Sequence, residues 1–329
     1  MTKIPLPKTK AYTVTNDLKF LDILNEKIIR SPELAATHVS EAFEFFARLR
    51  AGNHVPTWEK MVRQQIAPHP AIASIRQCPL TARCALKPRG YSGDAVMIDY
   101  IYGTGTVAAM PDSIAAKSLF SYTLSSPPSR AVRYRRNRLA DLIDTCATER
   151  IHRNQRGLRI LSVAAGHGRE LELSAAFRSG LISEFVAVDQ DAASLEELKR
   201  TYSSGSTKIT TLEMGVKSLL SSKHCLGSFD LIYSAGLYDY LDTRLATRLT
   251  AKLFSLLNPS GRLMYANFAT DIFSNGYMEA AMDWWLIYRD AQQTMALSDE
   301  IDKTQVININ EYTDPGRNIY FVELERSKG

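Results

Sequence analysis

The sequence predicts an α/β fold, a largely parallel sheet wound with helices, preceded by a helical region. One observation is the stretch 158–174, where an apolar run stops at a turn of small residues and restarts with helical spacing, reading as strand, glycine turn and helix. A second is repetition: short apolar strands recur at 184–189, 208–213, 229–234 and 262–268, with helical patterns between them. The third is the end of the chain, where 305–312 and 318–325 alternate like strands around the turn 313–317, predicting an antiparallel hairpin.

At 329 residues, 45% of them apolar, the chain can bury a large core, and two compact units are expected: a helical region over 1–128 and a nucleotide-binding region over 129–329. No run is apolar long enough to span a bilayer and the start lacks a secretion signal, so a soluble, cytoplasmic protein with no membrane partner is expected. Cys78, Cys84, Cys146 and Cys225 form no Cys-x-x-Cys pair and have no histidine at metal spacing, which predicts reduced thiols and no metal site.

Taken in order, apolar residues at three- and four-residue spacing predict two helices over 17–49, and a third over 57–66. His38, His54 and His69 have no partner at useful spacing and read as surface residues. In 87–103 two glycines bracket Tyr91 and Ser92 before an aromatic helix, which reads either as a lid or as a turn in which Asp94 caps the helix. A long helix over 129–147 carries the basic cluster 130–138, whose plainer reading is a solvated face; nucleic acid is not favoured, because no aromatic stacking module accompanies it.

The glycine turn after the first strand lets backbone N–H groups approach a nucleotide, and the next helix is expected to present its positive end there. Asp189 ends the second strand about twenty residues on, the offset at which a ribose hydroxyl pair is held. No Gly-x-x-x-x-Gly-Lys-Ser/Thr run is present, which argues against a nucleoside triphosphate site. The fourth strand leads into Tyr238, Asp239 and Tyr240, at the end of the sheet where such folds bind ligands. A helix over 246–257 is expected to end at 258–261, and Asn267 leaves the fifth strand on the ligand side. The stretch 276–289, read as helical, supplies Tyr277, Trp284, Trp285 and Tyr288 as an aromatic wall for a cation or an acyl chain. Arg133 or Asn137 is placed to hold an amino-acid carboxylate, which a planar guanidinium pairs with well.

The segment 160–170, Ile-Leu-Ser-Val-Ala-Ala-Gly-His-Gly-Arg-Glu, resembles the first motif of the class I S-adenosylmethionine (SAM) dependent methyltransferases, with Gly166 and Gly168 in the second and third glycine places. It departs from the motif at Ser162, where an acid is usual, and at Ala164, in place of the first glycine. The stretches 186–189, 212–216 and 229–240 resemble the later motifs in the same order. The resemblance implies a Rossmann-like sheet of seven strands with an antiparallel C-terminal hairpin behind an N-terminal helical cap. It further implies SAM as cosubstrate, bound by Gly166, Gly168, Asp189, Gln190, Gly215, Val216, Ser234 and Gly236.

The segment 90–94, Gly-Tyr-Ser-Gly-Asp, resembles that of the bacterial methyltransferases that make 3-hydroxy-fatty-acid methyl esters. In that reading Tyr91, Asp94, Tyr238 and Asn267 orient a small-molecule acceptor, a carboxylate or other O or N nucleophile, and Tyr240, Trp284, Trp285 and Tyr288 line its pocket. The chain is also similar to the azetidine-2-carboxylate synthases, which use SAM as sole substrate, cyclise it and release methylthioadenosine. A non-catalytic SAM- or RNA-binding regulator, with Arg133, Arg135 and Arg136 on the nucleic acid, is the reading from another class.

Overall fold

The computed structural model describes residues 14–104, 111–221, 226–270 and 272–328. The chain opens with α1 (Val14–Arg30), α2 (Ala35–Ala51), α3 (Val55–Met61, prolonged by a π-turn over Val62–Ile66) and α4 (Pro70–Ile75). There follow α5 (Pro79–Leu86), α6 (Ala95–Tyr102), α7 (Ile114–Ser125) and α8 (Pro127–His152). The alternating part runs β1 (Leu158–Val163), α9 (Ala175–Arg178), β2 (Ile182–Asp189), α10 (Ala192–Tyr202), β3 (Lys208–Glu213), α11 (Val216–Ser221) and β4 (Phe229–Ser234). It closes with α12 (Thr243–Ser255), β5 (Leu257–Phe268), α13 (Asn275–Ala280), α14 (Ala291–Ala296), β6 (Val306–Thr313) and β7 (Ile319–Arg326).

The seven strands form one sheet in the order β3-β2-β1-β4-β5-β7-β6. β1 to β5 pair in parallel and β7 lies antiparallel between β5 and β6, so the sheet has the seven strands and the antiparallel closing hairpin that the sequence predicts. Every residue of β4 is buried, as a strand covered on both faces requires. Leu161, Val163, Val186, Val188 and Ile232 face one side of the sheet, against Leu249 and Leu253 of α12. The order reverses between β1 and β4, because β2 and β3 lie to one side of β1 and the later strands to the other. In open sheets of this kind ligands bind at the carboxyl ends beside that reversal.

The described residues divide into two compact units, one reaching from the amino-terminal helices to Ser129 and joined by Phe273–Trp285, the other comprising Arg130–Ile272 and Leu286 onward. The helical unit thus takes in a segment that the sequence analysis assigns to the region over 129–329. Its core stacks Tyr277 on Phe43 with ring centroids 3.9 Å apart. Buried Glu279 accepts hydrogen bonds from Arg50 (2.7 Å) and the Trp58 indole (2.5 Å), so the carboxylate of α13 is paired where it is dry.

Several sequence expectations are corrected. No helix starts at the glycine turn: 169–173 continue as turns, Ser174 caps α9 by accepting from Phe177 N–H, and that helix is only four residues long. Asp144 of α8 holds this arrangement, accepting from the Ser174 hydroxyl (2.6 Å) and the Ala175 and Ala176 N–H groups. Residues 258–261 belong to β5 as a bulge, not to a helix end: Phe229 pairs with Leu257 but Leu231 with Arg262. The Asp230 carboxylate fixes the bulge, accepting from Asn258 Nδ2 (2.7 Å), Arg159 N (2.9 Å) and Arg150 Nη1 (2.6 Å). The helix expected over 276–289 ends at Ala280, and Asp283 lies at positive φ (48°), which no helix accommodates. His38 is buried in α2, whereas His69 caps α4 and lies 3.3 Å from Asp22. Cys78, Cys84 and Cys146 are free and buried; Cys225 lies outside the described residues.

Gly276 is where α13 meets α2, because a Cβ there would fall on the Phe46 carbonyl group. Gly276→Ala is expected to cost about 1–3 kcal/mol of stability by forcing the two backbones apart. Denaturant unfolding measures this, and an unchanged midpoint would refute the close approach.

Candidate functional site

At the end of β1 the backbone takes left-handed values at Ala164 (φ 56°), Gly166 (54°) and Gly168 (63°). Glycine accepts these at no steric cost; at Ala164, in the place of the motif's first glycine, an L side chain carries roughly 1–2 kcal/mol of strain. Gly168 also lies against α10, where an added Cβ would come 2.9 Å from Leu198 Cδ1. The turn is fastened to β2 by Ala165 N–H donating to Val188 O (3.2 Å) and Gly166 N–H donating to Asp189 Oδ2 (2.8 Å). Asp189 Oδ1 accepts from Asp191 N–H (2.9 Å), and burial raises the carboxyl above its ordinary value against the pull of these N–H groups. Met214 N–H donates to Asp189 O (2.8 Å), which brings the turn at Gly215 and Val216 alongside, and nothing lies within 4 Å of where a Gly215 Cβ would be. Gln190 is exposed beside it. The residues predicted to hold an adenosyl group therefore converge on the carboxyl ends of β1, β2 and β3.

The β4 side of the reversal is built differently. Ser234 Oγ donates to Val163 O (2.9 Å), clamping the ends of β1 and β4, and Ser162 stands opposite Tyr233 in the strand pairing. The Tyr233 hydroxyl donates to Glu170 Oε1 (2.5 Å), and both side chains are buried. Burial raises the Glu170 carboxyl above its ordinary value, opposed by the Tyr233 hydrogen bond and by Arg135 and Arg136. Arg135 of α8 reaches the loop after β4, where Nη1 donates to Ala235 O (2.6 Å) beside Gly236. Arg133 is half-buried, and Asn137 is exposed on the same helix. Arg138 is taken up by Tyr312 and Glu323, so the basic cluster is not the solvated face that its composition suggests.

Tyr238 and Asn267 have internal roles in place of the acceptor-orienting ones expected. Tyr238 is fully buried in the apolar core, stacked on Tyr265 at 4.8 Å with its hydroxyl bonded to Thr250 Oγ1 (2.9 Å). Asn267 Nδ2 donates to Phe268 O and Ile287 O (2.9 Å each), and its Oδ1 accepts from Arg289 Nη1 (2.6 Å). Arg289 also donates to Tyr238 O (2.9 Å) and Leu241 O (2.6 Å), joining the loop after β4 to the end of β5. Between these elements sits Asp239, whose Oδ1 accepts from Phe268 N–H (2.6 Å). Burial pushes its carboxyl up to about 6, against the pull of that N–H, Arg135 and Arg289.

In the helical unit the cap reading of Asp94 holds: its carboxylate accepts from Met97 N–H and from two guanidinium nitrogens of Arg83, all at 2.8 Å, and it is buried, which leaves it engaged as a cap and not turned to a ligand. Tyr91 is half-buried in the preceding turn, which Ser92 Oγ ties to Cys84 O (3.0 Å) and Asp283 O (3.1 Å). Trp284 is buried and the Trp285 indole donates to Asp283 Oδ1 (2.8 Å), with Arg63 over its ring at 5.8 Å. These two tryptophans and Tyr277 belong to the helical unit, while Tyr240, exposed, and Tyr288, half-buried, belong to the sheet unit, so the aromatic wall is not one continuous helix face. The sequence pattern puts Glu170 on a helix and Arg135 in a surface cluster; the small-residue turn that precedes Glu170 is its one local signal, and Arg135 has none.

Residues 160–261 match the family model described as "Methyltransferase domain", and such a domain implies SAM as cosubstrate. No curated protein matches the sequence. The fold is similar to that of a possible exported protein from Bordetella parapertussis, 16% identical, covering 98% of this chain and 100% of that one with a TM-score of 0.57. Magnesium protoporphyrin IX methyltransferase from Synechocystis, solved with SAM, is 12% identical over 70% of this chain and 89% of its own, TM-score 0.43. The N-methyltransferase NodS from Bradyrhizobium japonicum is 11% identical over 58% and 98%, TM-score 0.39. Among the described residues no helix is long and apolar enough to cross a membrane, and no group of His, Cys, Asp and Glu is placed to hold a metal ion.

A carboxyl raised by folding favours the native state while protonated, so the Asp239 contribution is present below its ordinary value near 3.8 and is lost as pH rises through about 6. Asp239→Asn keeps an acceptor for Phe268 N–H and removes the titration. The stability of the wild type relative to this variant is expected to fall by about 2 kcal/mol between pH 4.5 and 7.5. Urea unfolding at both values tests this, and parallel pH dependences would show that Asp239 titrates normally.

Proposed function

We propose that the sheet unit binds SAM at the β1–β4 reversal and transfers its methyl group to a small-molecule O or N nucleophile, with carboxylates as the acceptor class to try first. The observation that carries this reading is the Gly166–Asp189 hydrogen bond of 2.8 Å, which joins a turn of small residues to an acid at the end of β2. The residues fit the ligand. The Asp189 carboxylate accepts from the backbone N–H groups of Gly166, Asp191 and Gln190, which leaves part of its four lone-pair sites for the ribose hydroxyls, and the space beside Gly215 is open to a flat base. Gly166, Gly168, Gln190 and Val216 complete that side, with Ser234 and Gly236 at the loop after β4.

The bound sulfonium supplies an activated methyl group. The protein's part is to fix the donor so that an acceptor lone pair approaches in line with the carbon–sulfur bond, and positioning of this kind accounts for a large share of such accelerations. A carboxylate acceptor is already anionic and needs no base. For a protic acceptor, Asp239 in the loop after β4, whose carboxyl burial pushes up to about 6, is the group proposed to take up the proton. Tyr240 and Tyr288 are the aromatic side chains of the same unit proposed to face the acceptor.

Calorimetry with SAM and S-adenosylhomocysteine tests the binding step. Both are expected to bind the wild type, and Asp189→Ala is expected to lose about tenfold or more in affinity for each, because two ribose hydroxyls lose a charged acceptor. Folded wild-type protein that gives no heat with either compound overturns the reading. Incubation with SAM alone separates the reactions: an inert mixture agrees with methyl transfer, whereas methylthioadenosine released without an acceptor replaces it with cyclisation to azetidine-2-carboxylate.

A further inference from the structure

We infer that the open edge of β6 is an interface at which a second copy of this chain adds its own β6 antiparallel, about a two-fold axis at Ile309. The inference concerns the sheet unit alone and stands apart from the proposed SAM site.

β6 is the last strand in the sheet order, paired on one side with β7. Every residue from 307 to 311 is exposed, including Ile307 (59%) and Ile309 (43%). Ile309 pairs with Leu324, a core residue, so it borders the core on one side and the open edge on the other. The backbone is open there too. Asp314 N–H donates to Ile319 O (3.2 Å), and residues that bond inward alternate along an antiparallel pair, so Asn308, Asn310 and Tyr312 bond towards β7 while the N–H and C=O groups of Ile309 and Glu311 point outward. Edge strands are commonly protected by Lys, Pro or a bulge. β6 has no Lys, Arg or Pro, and its bulge lies at Ile307, because Val306 pairs with Arg326 but Asn308 with Glu325; from Asn308 to Thr313 the register is regular. An edge left open in this way is a template for another strand. The strand itself points to a second copy. Asn308-Ile309-Asn310 reads alike in both directions, so a two-fold axis at Ile309 sets Asn308 opposite Asn310 of the second copy, twice, and Ile309 opposite Ile309. Amides both donate and accept, and among the described residues neither asparagine side chain has a hydrogen-bond partner of its own. Glu311, the one charge of the strand, lies two residues from the axis, so the two copies' carboxylates stand about 13 Å apart, beyond the screening length at physiological salt. Strands of eight residues are about 26 Å long, and edge pairing of that length buries less than a standard interface, so a micromolar dimer is expected.

Sedimentation velocity of the full chain from about 1 to 100 μM tests the interface. The wild type is expected to approach twice the monomer mass as concentration rises. Ile309→Lys sets two ammonium groups opposite each other at the axis and is expected to stay monomeric throughout, with an unchanged urea midpoint because the side chain is exposed. Two double variants test the register. Asn308→Lys with Asn310→Lys opposes like charges and is expected to abolish the dimer, whereas Asn308→Asp with Asn310→Lys sets acid opposite base twice and is expected to keep it. Hydrogen exchange needs no variant: the outward Ile309 amide of the wild type is expected to exchange more slowly at the higher concentration. A wild type that stays monomeric at the highest concentration overturns the inference, as does an Ile309 amide whose exchange ignores concentration. An Ile309→Lys protein that still dimerises overturns it by placing the interface elsewhere. A dimer lost by both double variants, or by neither, overturns the two-fold pairing at Ile309.

Discussion

The hydrogen bond from Gly166 N–H to Asp189 fixes the part of the molecule on which the rest depends. A chain that takes left-handed values at 164, 166 and 168 has given up regular backbone pairing over those residues. Its N–H groups need acceptors, and a buried carboxylate is among the strongest available. The acid is raised by its own burial, so turn and acid stabilise each other: the N–H groups of Gly166 and Asp191 hold the charge, and the charge holds the turn. Met214 N–H on the Asp189 carbonyl extends the same arrangement to β3.

Across β1 the design changes from backbone to side chains. Glu170, Tyr233, Arg135, Asp239 and Arg289 are all buried near the carboxyl ends of β4 and β5, and each is bonded to its surroundings. Such groups are expensive to bury singly and tolerable in a connected set. Arg289 shows the connection well, because one guanidinium satisfies two carbonyls of the loop after β4 and the Asn267 amide of β5. Asn267 and Tyr238, which as isolated letters at strand ends look like ligand contacts, are the internal members of this set.

The helical unit follows ordinary packing rules with two paired charges inside. Arg83 grips Asp94 with two nitrogens while Asp94 caps α6, and Arg50 and the Trp58 indole meet Glu279. Segment Phe273–Trp285 leaves the sheet after β5 to join these helices, and Gly276 lets α13 come backbone-close to α2. A long-range excursion of this kind leaves no periodic trace, since it reads locally as one more amphipathic stretch.

The strands, their order of appearance, the closing hairpin and the pairing of a small-residue turn with Asp189 were legible in the sequence, because they are set by local patterns: apolar runs of strand length, residues that tolerate positive φ, and a carboxylate at a fixed offset. The β5 bulge, the short α9 and the end of the helix at Ala280 were not, because Asp230, Asp144 and the turn at Asp283 act through partners far away in the chain. The same reason separates the two halves of the candidate site. The residues of the glycine turn are chosen by their own backbone, so the sequence names them. Whether an arginine of the 130–138 cluster faces water or β4, and whether Glu170 starts a helix or meets Tyr233 63 positions later, is decided only when the sheet brings β1 and β4 together and withdraws those side chains from solvent.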